Sequence, residues 1–284
     1  RAPARTALPT QTPYSSMPHD PTHHLFQGTD ACVSYWEWGS PDGQPILLIH
    51  ATGFHARVWD ETVARLPQHH RIIAVDMRGH GQSEKKGLLL DWSIPPKDIG
   101  ELVTHLGLTN AIGVGHSMGA LVALDCAARH GGLVSRLALL GVAPKMPVHP
   151  DLLAAAAADD PKAIDLICDW GHGPTGHLGG HRAPGLWMLG GAGQLLAASR
   201  PGALSRDLVN CNAYLEAVER AAAVACPTLL LLGERDKMTP ARAGRKLAES
   251  IADAEVVVLP GTGHMMMLER PDETLDALKA FVAA

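Results

Sequence analysis

The sequence predicts an α/β protein whose mostly parallel sheet is covered by helices on both faces. Short continuous apolar runs such as PILLIH (45–50) and RIIAVD (71–76) are typical of strands that are buried on both sides. Segments with helical spacing separate these runs, and this alternation favours parallel strands joined by helical crossovers. A chain of 284 residues is long enough to bury one large core of this kind.

The first part of the core begins with an alternating run, Cys32 to Trp38, which predicts an antiparallel edge strand. A turn follows at Gly39 to Gly43, and the buried strands 45–50 and 71–76 come next. Trp59 to Leu66, between those two strands, has helical spacing.

The middle of the chain continues the alternation. The spacing of apolar residues predicts a helix over Lys97 to Leu108, a strand over Ala111 to Gly115 and a helix over Ala120 to Arg129. Arg136 to Leu140 predicts a further strand. After Pro144 the character of the sequence changes.

Residues 146–210 are rich in alanine, glycine and histidine and show no clear strand. We interpret them as inserted helices that form a cap on a core made of residues 21–145 and 211–284. Residues 1–20 are polar and proline-rich, which predicts a flexible leader.

The core resumes with a strand over Pro227 to Leu232, a helix over Pro240 to Ile251 and a last strand over Glu255 to Leu259. A closing helix is predicted from Pro271 to Phe281. In sheets of this class the chemistry collects at the carboxyl ends of the strands.

Ser117 is the candidate nucleophile. It stands in Gly115-His116-Ser117-Met118-Gly119, between a predicted strand and a predicted helix, which is the context of a nucleophile elbow. A serine on so sharp a turn needs neighbours without side chains that would collide with the strand or the helix.

A serine hydroxyl needs a base within hydrogen-bond reach, and the base needs a carboxylate to orient it. His264 suits the base because it lies in a glycine-flanked loop after the last strand. Asp236, after the preceding strand, is the expected carboxylate, and Glu234 is its rival. The order serine, acid, histidine favours Asp236.

Two backbone N–H groups are expected to hold the oxyanion of a tetrahedral intermediate. Met118, the residue after the serine, supplies one, and Thr52 supplies the other, with Ala51 as its alternative. We expect His50 to brace the loop that carries Thr52.

With these residues placed, the chain resembles the α/β-hydrolase family from about Cys32 to its end, except across the cap. The motifs that carry the resemblance are HATG (50–53), DMRGHGQS (76–83), GHSMG (115–119), GERD (233–236) and GTGH (261–264). Ala51 departs from the glycine that is usual there. The family's dehalogenases and epoxide hydrolases carry aspartate in place of Ser117, so the resemblance disfavours those activities.

Together the residues and the resemblance imply a serine hydrolase that cleaves a small carboxylic ester through an acyl-enzyme. The same triad also serves carbon–carbon, lactone or amide hydrolysis, and a hydrolase-fold receptor that binds a small ligand without turnover is the alternative from another class. The cap residues Trp170, Trp187 and Met188 either line an acyl pocket or seal the cap to the core.

No cofactor or metal is expected. His172, His177 and His181 lack carboxylate or cysteine companions at ligand spacing, so we interpret them as part of a cap loop. The net charge of −5, from 24 basic and 29 acidic residues, offers no basic field for nucleic acid or for a membrane surface. The expected partner is a small-molecule substrate, for a monomer or a homodimer.

The five cysteines are scattered and form no C-x-x-C pair. This usage favours reduced thiols in a cytoplasm over a disulfide framework. The sequence shows no stretch with the length and apolar character of a membrane span.

Overall fold

The computed structural model describes residues 20–84, 91–177, 179–181 and 185–283. The predicted leader, apart from Asp20, lies outside the described residues.

The strands within the described residues are β1 Thr22–Gln27, β2 Cys32–Gly39, β3 Pro45–Ile49, β4 Arg71–Asp76, β5 Ala111–His116, β6 Val134–Leu140, β7 Thr228–Gly233 and β8 Ala254–Leu259. They form one sheet with the order β1-β2-β4-β3-β5-β6-β7-β8. β1 pairs with β2, and β2 with β4, in antiparallel fashion, whereas the remaining neighbours are parallel. The mostly parallel sheet is therefore confirmed.

The prediction that Cys32 to Trp38 is an edge strand was wrong. β1, which the sequence analysis did not predict, pairs along β2 from Thr22 opposite Glu37 to Gln27 opposite Cys32. The side chains of β1 are exposed or only half-buried. Its sequence therefore does not need the apolar run that marks the inner strands, and it has none.

The helices connect the strands and fill the interval between β6 and β7. They are α1 Asp60–Arg65, α2 Ile94–His105, α3 Met118–Arg129, α4 Pro150–Ala157, α5 Lys162–Gly171, α6 Pro174–His177, α7 Met188–Ala197, α8 Ala203–Ala213, α9 Ala217–Ala223, α10 Ala241–Ala248, α11 Met266–Glu269 and α12 Pro271–Ala283. A short 3₁₀ turn, Ala56–Trp59, precedes α1. None of the helices within the described ranges combines the length and the apolar character that a membrane span needs.

Two hydrophobic clusters lie on opposite faces of the sheet. Along β3, Ile46 and Leu48 belong to one cluster, and Leu47 and Ile49 to the other. Side chains of α1, α12 and the inserted helices complete the first cluster, and side chains of α2, α3 and α10 complete the second. Side chains of a strand alternate between its faces, so this division is what helices on both sides of the sheet require.

Helices α4 to α8 lie between β6 and β7, where the sequence analysis predicts an insertion, and we refer to them together as the insertion. Their apolar residues Leu152, Ile167 and Leu208 join the first hydrophobic cluster. The last inserted helix, α8, ends at Ala213 and so crosses the predicted boundary between residues 210 and 211.

Candidate active site

Ser117 lies on a strained turn between β5 and α3. Its backbone angles are φ 55° and ψ −117°, outside the regions that residues other than glycine normally adopt. The two glycines of the motif allow this turn because a Cβ on Gly115 would lie 2.2 Å from the carbonyl oxygen of Gly119. A Cβ on Gly119 would lie 2.3 Å from the carbonyl oxygen of Ile49. The sequence thus places a single hydroxyl clear of a closely packed backbone.

Asp236 and His264 form a buried pair. The Nδ1–H of His264 donates to Oδ2 of Asp236 over 2.7 Å. The same carboxylate also accepts bonds from the N–H groups of Met238 and Thr239 and from the Thr239 hydroxyl. Burial alone would raise the pKa of Asp236, but His264 and the Thr239 donors hold that pKa below its ordinary value.

Glu234, the rival carboxylate, does not contact His264. Its side chain is half exposed, and Oε2 accepts a bond from the N–H of Gly261. This contact holds the loop before His264 but leaves the imidazole to Asp236.

His116 connects the turn at Ser117 to His264. The rings of His116 and His264 contact each other with their centroids 4.7 Å apart and their planes tilted by 41°, and Nε2 of His116 donates to the carbonyl oxygen of His264 over 2.9 Å. Burial and the neighbouring His264 lower the pKa of His116 to about 3, so its ring stays neutral. The N–H of Ser117 itself donates to the carbonyl oxygen of Leu140.

The other ring nitrogen of His264, Nε2, is buried and has no hydrogen-bond partner among the described residues. The Ser117 hydroxyl likewise makes no hydrogen bond within the described ranges. Structures without substrate often lack a tight bond between nucleophile and base. His116, the residue before Ser117, thus contacts His264, and neither the Ser117 hydroxyl nor Nε2 of His264 has a hydrogen-bond partner within the described residues.

The loop after β3 carries the second expected oxyanion donor. His50 braces it, because its Nδ1–H donates to the carbonyl oxygen of Ala51 and its Nε2 accepts from the N–H of Met77. Burial holds the pKa of His50 well below its ordinary value, so the ring is neutral. The N–H groups of Thr52 and Met118 have no acceptor within the described residues, which leaves both available to a ligand.

A cavity of about 570 Å³ opens over Ser117. Thr52 and Ser117 lie in its lining, together with apolar side chains of which Met146, Leu152, Trp170 and Leu208 are examples. Lys237 is also part of the lining. The site is thus a mainly apolar chamber with the hydroxyl in its wall.

Of the three predicted substrate-binding residues, the structure places one in this cavity. Trp170 lines it. Trp187 is 72% exposed and Met188 is 3% exposed, and neither belongs to the lining. Of the two alternatives, lining of a pocket therefore fits Trp170, whereas Trp187, just before α7, faces solvent and Met188 is buried outside the lining.

The structure shows no group of three or more histidine, cysteine, aspartate or glutamate side chains that could hold a metal, within the residues it describes. Two of the three histidines of the predicted cap loop, His172 and His177, bond to backbone carbonyl groups. Nδ1 of His172 donates to the carbonyl oxygen of Cys168, and Nε2 of His177 donates to that of Asp169.

Two carboxylates near the site were missed by the sequence analysis. Glu269, on α11, accepts bonds from the N–H groups of Gly263 and Gly173, so it ties the loop that carries His264 to the insertion. Asp207, on α8, accepts a bond from the N–H of Gly53. One signal for Asp207 was present, since helical spacing places it on the same face as Leu204, three residues earlier, where a charge needs a partner.

A strained serine after a central parallel strand, with a histidine–carboxylate pair at the carboxyl ends of neighbouring strands, is the arrangement that defines α/β hydrolases. The chain belongs to this family: the model of the Alpha/beta hydrolase family matches residues 46–277.

Among curated relatives, a non-heme haloperoxidase from Rhodococcus erythropolis is 28% identical over 266 residues, which span 88% of this chain and 95% of the relative. A pimeloyl-[acyl-carrier protein] methyl ester esterase from Chromobacterium violaceum is 30% identical over 252 residues, or 83% of this chain and 93% of that protein. The solved structure of an esterase from Exiguobacterium antarcticum superposes with a TM-score of 0.81 at 22% identity, over 92% of this chain and 99% of that one.

Proposed function

We propose that this protein is a serine hydrolase that cleaves small carboxylic esters through an acyl-enzyme intermediate. The observation that carries the proposal is the strained Ser117 in the wall of an apolar cavity, together with the buried pair of Asp236 and His264, whose imidazole contacts His116, the residue before the serine. Family membership alone leaves the bond that is cleaved open, because the same fold hosts several chemistries.

In the proposed mechanism, Oγ of Ser117 attacks the acyl carbon while Nε2 of His264 accepts its proton. Asp236 holds the imidazole by its Nδ1–H and stabilises the imidazolium. His264 then protonates the departing alkoxide as the ester C–O bond breaks. A water, deprotonated by His264, attacks the acyl-enzyme and releases the acid and the free Ser117 hydroxyl.

The negative oxygen of each tetrahedral intermediate is assigned to the free N–H groups of Thr52 and Met118. One donor lies on the loop after β3 and the other at the first residue of α3. Because they belong to different segments, their common direction depends on how each loop is held.

The cavity supports a small, largely apolar acyl or alcohol group. A volume of about 570 Å³ lies within the range that pockets for small molecules occupy. No carboxylate lies in its lining as described, whereas Lys237 contributes one ammonium group, so the site favours neutral or anionic substrates over cations. The similarity to a methyl ester esterase supports an ester of a small alcohol.

We also propose that the insertion acts as a cap over this site. Leu152 and Trp170 reach the cavity from α4 and α5, and Leu208 reaches it from α8. Residues that select the substrate therefore belong largely to the insertion, whereas those that carry the chemistry belong to the core.

The experiment that tests the proposal combines labelling with turnover. A fluorophosphonate should add to Ser117 at one label per chain, located by peptide mass mapping, and p-nitrophenyl esters of short acids should be hydrolysed. Ser117→Ala should lose both properties, whereas Ser250→Ala, a serine without a side-chain hydrogen bond in the described ranges, should keep both. A folded protein that takes no label at Ser117 would refute the proposal.

The alternatives separate on a substrate panel. Lactones, anilides and β-diketones of matched size test the other bonds that this triad can cleave. Recovery of every bound compound unaltered after long incubation, with a rise in thermal stability, would favour the receptor.

A further inference from the structure

Gly53 follows Thr52 in the loop after β3, and side chains of the insertion bond to both its N–H and its carbonyl oxygen. The N–H of Gly53 donates to Oδ2 of Asp207 over 3.1 Å, and the carbonyl oxygen of Gly53 accepts a bond from the hydroxyl of Ser199. A Cβ at Gly53 would lie 2.8 Å from a methyl group of Leu204 and 3.0 Å from one of Leu196. Helices α7 and α8, with the segment between them, thus enclose this glycine.

Asp207 is itself fixed by contacts with Arg206 and His80. Oδ1 accepts two bonds from Arg206, the shorter of 2.6 Å, and Nε2 of His80 lies 2.9 Å from Oδ2. Arg206 also donates to the carbonyl oxygen of Arg78 over 3.0 Å. A carboxylate that is 1% exposed and surrounded in this way has one position available to it.

The opposite side of Thr52 is held by the core. The carbonyl oxygen of Ala51 accepts bonds from Nδ1 of His50 and from the N–H of Phe54. The peptide plane that contains the Ala51 carbonyl also contains the N–H of Thr52. The direction of this N–H is therefore set between a clamp from the core at Ala51 and a clamp from the insertion at Gly53.

We propose that Asp207 and Ser199 are positioning residues that couple the docking of the insertion to the alignment of the Thr52 amide. When α7 and α8 are docked, both polar groups of Gly53 are held and the amide faces the cavity. When these contacts are lost, the loop is held at Ala51 alone and the oxyanion loses one donor. This inference rests on the proposed function.

Two variants test the inference through kcat. Asp207→Asn removes the negative charge of the carboxylate that accepts bonds from Gly53 and Arg206. This variant should lower kcat by about 10-fold to 100-fold with KM little changed, because an oxyanion donor that moves by about 1 Å loses most of its effect. Ser199→Ala removes one neutral hydrogen bond and should lower kcat by about 2-fold to 10-fold.

The controls lie in the same insertion. Asp165→Asn removes an exposed carboxylate of α5, and Ser205→Ala removes a hydroxyl of α8 that makes no hydrogen bond within the described residues. Both should retain the kcat of the parent protein. If Asp207→Asn does not fold, Ser199→Ala against Ser205→Ala decides the question.

A second readout separates positioning from a general structural role. An aryl trifluoromethyl ketone adds the Ser117 oxygen to its carbonyl, the hydroxyl proton passes to His264, and the ketone oxygen becomes an oxyanion. Its inhibition constant should rise in Asp207→Asn by the factor by which kcat falls.

Unchanged kcat and unchanged ketone affinity in folded variants would overturn the inference, as would a rise in KM alone. Failure of the parent protein to react at Ser117 would instead refute the proposed function, so the two outcomes are distinguishable.

Discussion

Two loops approach the same cavity, and they are held in different ways. The turn at Ser117 is fixed by the sheet, because the N–H of Ser117 bonds to Leu140 and Gly119 packs against the backbone of Ile49. The loop at Thr52 is fixed at Gly53 by side chains of the insertion, about 150 residues further along the chain.

Because the two loops are held differently, the amides of Met118 and Thr52 should differ in how readily the structure around them opens. The turn at Ser117 belongs to the central strands, whose opening requires the whole core to open. The contacts at Gly53 join two segments that are distant in sequence, so they can open with the insertion while the sheet stays intact. Under the proposed mechanism, the nucleophile stays in place when the insertion opens, whereas the complete oxyanion site requires the insertion to be docked.

The largest expected effect concerns the turn held by the sheet. Ser117→Ala should lower kcat by roughly 10⁶-fold, as loss of the nucleophile does in other serine hydrolases. The unfolding midpoint should stay close to that of the parent protein, because the hydroxyl makes no hydrogen bond in the described ranges. Turnover of a p-nitrophenyl ester and a thermal melt measure the two quantities. Comparable turnover in the folded variant would remove Ser117 from the mechanism.

The next largest effect concerns the buried pair of Asp236 and His264. Asp236→Asn should lower kcat by roughly 10⁴-fold, because an amide favours the wrong tautomer of His264. Glu234→Gln is the matched control and should retain most of the activity, since its amide oxygen can still accept the bond from Gly261. Steady-state kinetics of both variants checks the choice of acid. Equal losses would mean that the histidine depends on both carboxylates.

Alanine substitutions at glycines sharpen the contrast in stability. Gly119→Ala forces a Cβ against the backbone oxygens of Ile49 and His50, and should cost about 3 kcal/mol of unfolding free energy. Gly53→Ala, at φ 71°, meets the ends of leucine side chains and should cost about 1 kcal/mol.

Urea titrations compare these variants with Gly191→Ala. Gly191 lies within α7 and has no neighbouring atom within 4 Å of a built Cβ, so the substitution should stabilise by about 0.5 to 1 kcal/mol. A greater loss at Gly53 than at Gly119 would reverse the comparison.

The smallest expected effect is a pH dependence of the unfolding free energy that arises from Asp207. Burial opposes its charge, but His80 and Arg206 hold the pKa of Asp207 well below its ordinary value of about 3.9. Its contribution to stability is therefore complete above about pH 3.9 and is lost as pH falls towards the folded pKa. The difference in unfolding free energy between the parent protein and Asp207→Asn should shrink as pH is lowered from 5 to 3. A difference that stays constant or grows would contradict this assignment.

The sequence predicted the inner strands closely because each is a short apolar run. The strand predicted at Arg71 to Asp76 has those bounds in the structure. β1 was missed because Thr22–Gln27 carries no such run, and α11 was missed because Met266–Glu269 is a single helical turn. Both elements depend on their partners in the fold more than on a pattern of their own.

The residues of the candidate site likewise include some that a local sequence pattern predicts and others that it does not. Ser117, Asp236 and His264 could be proposed because each follows a strand in a motif that marks the end of the strand. Asp207 and Glu269 act on backbone groups that are distant in sequence, and no local pattern pairs Asp207 with Gly53 or Glu269 with Gly173. Such pairs become visible when the chain is folded.

A crystal structure of the phosphonylated protein tests the central claim most directly. The account predicts the label on Ser117, with its oxygen about 2.7 to 3.1 Å from the amide nitrogens of both Thr52 and Met118, and with Gly53 still bonded to Asp207 and Ser199. A label on Ser117 whose oxygen points away from Thr52, while the insertion is docked, would contradict it.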